Sequence, residues 1–241
     1  MGSQRLILVD GSGYIFRAFY ALPPMSREDG TPVNAVFGFT SMLLKLSEDM
    51  EGENILVVFD AARTTFRNEI YKEYKANRSE PPEELVPQFD LIKKATTAIG
   101  LKSLEVENYE ADDIIATYVK IAKKENIETL VISSDKDLMQ LIQDGVSLYD
   151  PMKNIKIGPE AVLEKFGVSP DKVIDVQALA GDSSDNVPGV PGIGVKTASQ
   201  LINEYGSLEK LLDNASSIKQ EKRRESLLNN AELAIVSKKL V

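Results

Sequence analysis

Three short apolar runs mark the first part of the chain, each closing on an aspartate. They are Leu6-Ile7-Leu8-Val9-Asp10, Leu56-Val57-Val58-Phe59-Asp60 and Leu130-Val131-Ile132-Ser133-Ser134-Asp135. Uninterrupted aliphatic runs of this length predict central strands of a parallel sheet, covered on both faces. Helical periodicity fills the intervals. Residues 33–46 put Val36, Phe37, Thr40, Leu43 and Leu44 on one stripe. Residues 82–99 open on Pro-Pro-Glu-Glu, a common helix start, and present Leu85, Phe89, Ile92 and Ala95. Residues 110–124 turn Ile114, Ile115, Tyr118 and Ile121 inward. This alternation predicts an α/β fold with a mostly parallel central sheet flanked by helices. Ligands in such sheets sit outside the carboxyl ends of the strands, where the aspartates fall.

Beyond about residue 150 the strand-like runs fade. Gly158-Pro159-Glu160, Ser169-Pro170-Asp171 and Gly206-Ser207-Leu208-Glu209 read as helix starts separated by turns. The organisation predicted is an α/β core over residues 1–150, with a basic connection at about 61–80, and a mainly helical subdomain over 151–241.

Acidic residues recur at the predicted sheet edge. Asp10, Asp60 and Asp135 close strands, and Asp137 follows two residues after Asp135. Glu110, Asp112 and Asp113 open a helix, with 110 and 113 on one face. Asp182 and Asp185 repeat that spacing of three. Each acid alone also reads as a helix cap or a turn residue. Together they would repel one another strongly without cations between them. Oxygen-only donors favour Mg²⁺ or Mn²⁺ over zinc.

Composition narrows the chemistry. The 241 residues include no His, no Cys and no Trp. That excludes a Ser-His-Asp triad, an imidazole base, a thiol nucleophile, a zinc-thiolate site and a disulfide framework. No apolar run approaches the ~20 residues a bilayer span requires. Met1-Gly2 begins as a myristoylation site does, but Leu6 stands where Ser or Thr is needed. A signal-peptide core is also missing, and a cytoplasmic location is expected. Other motifs fail. Asp10-Gly11-Ser12-Gly13 starts like a dinucleotide fingerprint, yet Phe16 occupies the third glycine position.

Two segments suit phosphate. Arg67, Tyr71, Tyr74, Lys75 and Arg78 recur at the spacing of one helical face, a mixture that suits backbone phosphates and stacked bases. An ordinary solvated helix is the alternative. Downstream, Gly192-Ile193-Gly194 forms a tight turn that opens a helix at Lys196. Backbone N–H groups at a glycine turn and helix start make an anion cradle, here with Lys196 beside it.

The segments LILVDGSGYIFRAFYAL, VVFDA…TFRNEIYKEYKANR, YEADDIIATY, SSDKDLMQLI and ALAGDSSDNVPGVPGIGVKTA, in that order, closely resemble the 5′-nuclease domain of bacterial DNA polymerase I, within the flap-endonuclease family. The resemblance covers about residues 5–212. It implies structure-directed hydrolysis of phosphodiesters near the 5′ end of nicked or flapped DNA. The metal-binding acids implied are Asp10, Asp60, Glu110, Asp112, Asp113, Asp135, Asp137, Asp182 and Asp185, holding two Mg²⁺ or Mn²⁺ ions. Lys75 and Arg78 match basic residues at the base of an arch, near the scissile phosphate. On the one-face reading of that segment, Arg67, Tyr71 and Tyr74 are expected to bind DNA. Gly192, Gly194 and Lys196 match a helix–hairpin–helix motif spanning about 187–205, where K⁺ also binds. Partners implied are DNA, with RNA primer strands as candidates and no membrane, and the chain is expected to be a monomer. A metal-dependent ribonuclease and a non-catalytic duplex-binding module stay open as alternatives.

The charge then takes on a different meaning. A formal net charge of −9, from 28 Lys+Arg against 37 Asp+Glu, at first argues against nucleic acid. Setting the nine implied metal ligands aside leaves as many acids as bases, so the surplus reads as a site.

Overall fold

The structure is a computed structural model and describes residues 5–50 and 53–241. The opening Met1-Gly2 motif lies outside the described residues. Six strands form one sheet in the order β3-β2-β1-β4-β5-β6: β1 Leu6–Asp10, β2 Asn54–Val58, β3 Lys102–Leu104, β4 Thr129–Ile132, β5 Val146–Asp150 and β6 Ile155–Ile157. The pairings β1–β2, β1–β4, β2–β3 and β4–β5 are all parallel. Ile7, Leu8 and Val9 are fully buried, so β1 is covered on both faces, as its unbroken apolar run requires. The chain adds β2 and β3 on one side of β1, then returns to add β4 on the other. That reversal opens a crevice at the carboxyl ends of β1 and β4.

The described helices are α1 Gly11–Ala21, α2 Asn34–Asp49, α3 Phe66–Ile70, α4 Gln88–Ala98, α5 Ala111–Lys124, α6 Pro159–Phe166, α7 Val173–Ala180, α8 Val195–Tyr205, α9 Leu208–Asp213, α10 Glu221–Asn229 and α11 Ala231–Leu240. They divide between two compact units. The first comprises residues 1–63, 79–138 and 144–156; the second comprises 64–78, 139–143 and 157–241.

In the first unit, α1, α2 and α4 pack on the sheet around Phe39, whose ring lies 6.3 Å from that of Tyr14 and 5.9 Å from that of Phe59. The face of α2 differs from the predicted stripe. Ala35, Phe39, Leu43 and Leu46 point inward, while Phe37 and Leu44 are exposed. Apolar residues ring most of this helix, so spacing alone could not choose the buried side. Helix α4 starts at Gln88 rather than near Pro82, because residues 83–87 form turns. The buried Gln88 side chain explains the late start. It accepts the Ala35 N–H at 2.8 Å and donates to Asn34 and to the Glu84 carbonyl, joining α4 to the first turn of α2. On α5 the inward positions are Ile114, Ile115, Val119 and Ala122, with Ile121 exposed.

In the second unit the three helix starts read from sequence all stand. Gly158 precedes α6, Ser169 precedes a 3₁₀ turn at Pro170–Lys172, and the Ser207 hydroxyl caps α9 by accepting the Lys210 N–H. Two glycines make a close crossing here. Gly181 and Gly189 both have positive φ, and a Cβ on Gly189 would lie 2.4 Å from the Gly181 nitrogen. Only glycine satisfies both demands.

Candidate active site

The carboxyl ends of β1, β2 and β4 carry Asp10, Asp60 and Asp135 in the first unit, with α1 and α5 beginning beside them. Asp10 ends β1 and is also the N-cap of α1, accepting the Gly13 N–H through Oδ1 at 3.3 Å. Its Oδ2 accepts the buried Ser133 hydroxyl at 2.7 Å. The same hydroxyl oxygen accepts the Asp135 N–H at 3.0 Å, and Asp135 Oδ1 accepts the Asp137 N–H at 2.8 Å. Asp60 is held at both oxygens. The Ser12 hydroxyl donates to Oδ2, and the Ala111 N–H, first in α5, donates to Oδ1 at 2.7 Å. Asp60 therefore ties the starts of α1 and α5 to the end of β2.

Helix α5 begins with a reciprocal cap. Glu110 accepts the Asp113 N–H, and Asp113 accepts the Glu110 N–H at 3.0 Å. The capping role open to these acids in the sequence is thus real for this pair. Asp112 lies in the same first turn, half-buried. Asp137 opens a 3₁₀ turn and pairs with Lys136 at 3.1 Å.

Burial dominates the electrostatics of Asp10. Desolvation, helped by the charges of Asp60 and Asp135 and opposed by the hydrogen bonds from Ser133 and Gly13, pushes its carboxyl up to about 6. A carboxylate that resists ionisation beside two others is a place where added positive charge is stabilising. The donors are all oxygen, which fits a hard divalent cation. Among the described residues, no three His, Cys, Asp or Glu side chains stand close enough together to form a finished metal cage. Hydroxyl or backbone donors engage several of them instead.

Asp182, Asp185, Lys75 and Arg78 belong to the second unit. Residues 182–187 form a loop closed by paired backbone bonds between Asp182 and Val187, at 3.0 and 2.8 Å. Asp182 accepts the Ser184 N–H at 2.7 Å. Asp185 pairs with Arg78 and, at 3.6 Å, with Lys75. The segment around Lys75 is pinned to this loop: the Lys75 N–H donates to the Asp185 carbonyl at 2.9 Å, and Asn77 and Asn186 donate to the Ser183 and Glu73 carbonyls.

This changes the picture of the basic connection. Arg67, Tyr71, Tyr74, Lys75 and Arg78 do not share one helical face: α3 ends at Ile70, and Lys75 takes a left-handed φ of 54°. Arg67 is buried, donates through Nε to the Leu240 carbonyl at 2.8 Å, and stacks on Phe66 and Tyr74. Tyr74 is buried with Val187 and Leu240, and Tyr71 packs against them. Arg67 and Tyr74 thus serve the interior rather than an exposed DNA-facing surface, while Arg78 is exposed and Lys75 half-buried. The Leu240 carbonyl that Arg67 reaches lies 173 residues away in sequence, which local spacing does not reveal.

The hairpin has the predicted form. Gly192 has φ 78° in an exposed turn, Ile193 anchors that turn in the core, and Gly194 is the N-cap of α8. Lys196 follows, exposed, in the first turn. Sequence reasoning passed over Ser12 and Ser133. Both stood inside quoted motifs, but their carboxylate partners lie 48 and 123 residues away.

A parallel sheet with carboxylates at its switch point, together with a unit bearing a glycine hairpin, defines the class: an α/β protein with an acidic sheet edge. The chain belongs to the 5′–3′ exonuclease family: residues 5–167 match its N-terminal resolvase-like domain and residues 168–241 its C-terminal SAM fold. DNA polymerase I of Rhizobium leguminosarum is 54% identical over 246 residues, covering 99% of this chain and 24% of that protein. DNA polymerase I of Bacillus caldotenax is 45% identical over 241 residues, covering 98% and 28%. The chain thus spans about a quarter of the length of these curated relatives. Among solved structures, the bacteriophage T5 D15 protein co-crystallised with metal ions matches at TM-score 0.83 and 25% identity, covering 99% of this chain and 89% of that one. A T5 D15 flap endonuclease complex with DNA and metal ions matches at 0.82 and 26%, with the same coverage. The catalytic core of Rad2 shares the fold, at TM-score 0.64 and 18% identity. No described helix is long and apolar enough to cross a membrane.

Proposed function

We propose that the chain is a structure-directed 5′-nuclease that hydrolyses phosphodiesters near the 5′ end of nicked or flapped DNA, using Mg²⁺ or Mn²⁺. The observation carrying this reading is Asp10, a buried carboxyl pushed up by desolvation beside Asp60 and Asp135 at the sheet's switch point. Family membership supports it, as does the likeness to a T5 D15 flap endonuclease solved with DNA and metal ions. In the first unit, Asp10, Asp60, Asp135, Asp137 and the α5 acids Glu110, Asp112 and Asp113 would hold a divalent cation, and in the second unit Asp182 and Asp185 would supply oxygen ligands of their own. A divalent cation held there would supply Lewis acidity toward a phosphoryl oxygen and a bound water.

The chain's own residues then do the positioning. Lys75 and Arg78, released from Asp185 to a phosphate, neutralise the charge that grows on it in the transition state. The exposed Gly192 and Gly194 positions at the start of α8, with Lys196 beside them, would grip duplex backbone without reading sequence, and K⁺ would be held at the same turn. The reading extends to a monomer acting in the cytoplasm, with RNA primer strands as a second class of cleaved strand.

The test is cleavage of a 5′-labelled flap duplex with Mg²⁺, with Mn²⁺ and with EDTA, alongside a matching RNA flap. Products should end near the flap base and appear only with metal. Asp112→Asn should lower the rate by more than the ~100-fold that outer partners of a metal site cost, while substrate binding persists. Cleavage in EDTA, or by the variant at the normal rate, overturns the reading.

A further inference from the structure

We propose that Ser133 is a positioning residue for the candidate cation site, its one hydroxyl locking Asp10 to the segment that carries Asp135 and Asp137. The inference rests on the metal-dependent reading above and assigns a role to a residue outside the acid set.

Ser133 is 2% exposed and follows β4, directly after the register pair Val9 and Ile132. It therefore stands beside Asp10 across adjacent parallel strands. A serine after a strand often accepts the N–H two residues on, and Ser133 does so with Asp135 at 3.0 Å. That half of its bonding is an ordinary turn. The donor half is not, because it goes to Asp10 Oδ2, 123 residues distant, at 2.7 Å in a buried setting. A hydroxyl has a single proton to give. Spent on Asp10, it fixes which carboxylate oxygen faces β4. The other contact to Asp10, from the Gly13 N–H, is 3.3 Å long and holds it less firmly. Through Asp135, whose Oδ1 accepts the Asp137 N–H, the same hydroxyl also sets where two further acids begin. Donors outside a metal's own ligands orient those ligands, and losing one typically costs about 10–100-fold in metal affinity or activity.

The experiment is a calorimetric Mn²⁺ titration of the unchanged chain and of Ser133→Ala, with flap cleavage measured across the same Mn²⁺ range. Ser133→Ala should weaken Mn²⁺ binding about 10–100-fold, with the cleavage deficit shrinking as Mn²⁺ rises. Ser133→Thr restores the hydroxyl and should bring the Mn²⁺ affinity back towards that of the unchanged chain. Ser133→Val, which has the shape of Thr without its hydroxyl, should bind as weakly as Ser133→Ala. The Thr–Val pair decides the matter if Ser133→Ala does not melt cooperatively. Unchanged Mn²⁺ affinity in Ser133→Ala, or equal affinity in the Thr and Val variants, overturns the proposal. Failure of the unchanged chain itself to bind Mn²⁺ overturns the metal reading and Ser133's role with it, a result told apart by the control titration.

Discussion

At the scale of single residues, Asp10 is where the fold's needs and the site's chemistry meet. The carboxyl caps α1, yet burial raises it from 3.8 to about 6, with Asp60 and Asp135 adding to the rise. The sign of the pH effect follows from proton counting. Below about pH 4 both folded and unfolded chains hold this proton, so it has no effect. Between 3.8 and about 6 the folded chain keeps the proton that the unfolded chain releases, so this group's contribution falls as pH rises. Above that window the whole penalty is in force, on the order of 3 kcal/mol. In EDTA, Asp10→Asn should therefore be at least as stable as the unchanged chain at pH 7–8. Its advantage should shrink towards pH 4. Urea midpoints for both proteins from pH 4 to 8 check this, and an advantage that does not vary with pH would count against the electrostatic cause. On the proposed metal reading, saturating Mg²⁺ should reverse the order at pH 7–8, because Asn at position 10 removes a carboxylate ligand.

Elements were legible in proportion to how much of their environment their own sequence carries. Strands β1, β2 and β4 are central and wholly or largely apolar, so their runs announced them. Strands β3 and β6 are three residues each, and β5 alternates burial, so none left a comparable run. The hairpin was legible because Gly192 and Gly194 act through local backbone geometry. The helical face proposed for Arg67 to Arg78 failed because Tyr74, Val187 and Leu240 converge from distant sequence. The α2 face gives a sharp check. Phe39→Ala should cost about 3–5 kcal/mol, since that ring is fully buried against Tyr14 and Phe59. Phe37→Ala should cost less than about 1 kcal/mol, since that residue is 56% exposed. Chemical denaturation of the two variants separates the observed face from the predicted one. At the hairpin, Lys196→Ala should weaken duplex binding and lower the slope of log K against log salt by about 1. Anisotropy titrations at several salt concentrations measure it, and an unchanged slope would place Lys196 away from the phosphates.

Across the whole molecule, a net charge of −9 has to be reconciled with the polyanionic partner proposed above. If the surplus acid were spread over the surface, neutralising any one acid would matter little, and divalent cations would act on DNA binding only by screening. If it is concentrated in the candidate site, two effects of opposite sign follow from the same residue. In EDTA the clustered carboxylates repel an approaching phosphate, so Asp112→Asn, with one charge fewer, should bind a flap duplex about 2–5-fold more tightly than the unchanged chain. With Ca²⁺ as a hard oxygen-seeking probe, the unchanged chain should tighten by roughly tenfold, and Asp112→Asn should lose most of that gain. An exposed acid outside the candidate set, such as Glu164→Gln on α6, should shift neither value. Anisotropy at fixed ionic strength, with and without Ca²⁺, reads all three proteins. Crossing of the two curves for Asp112→Asn, and not for Glu164→Gln, ties the excess charge to the site. Parallel curves would return the −9 to the surface and leave DNA binding to be explained by the hairpin alone.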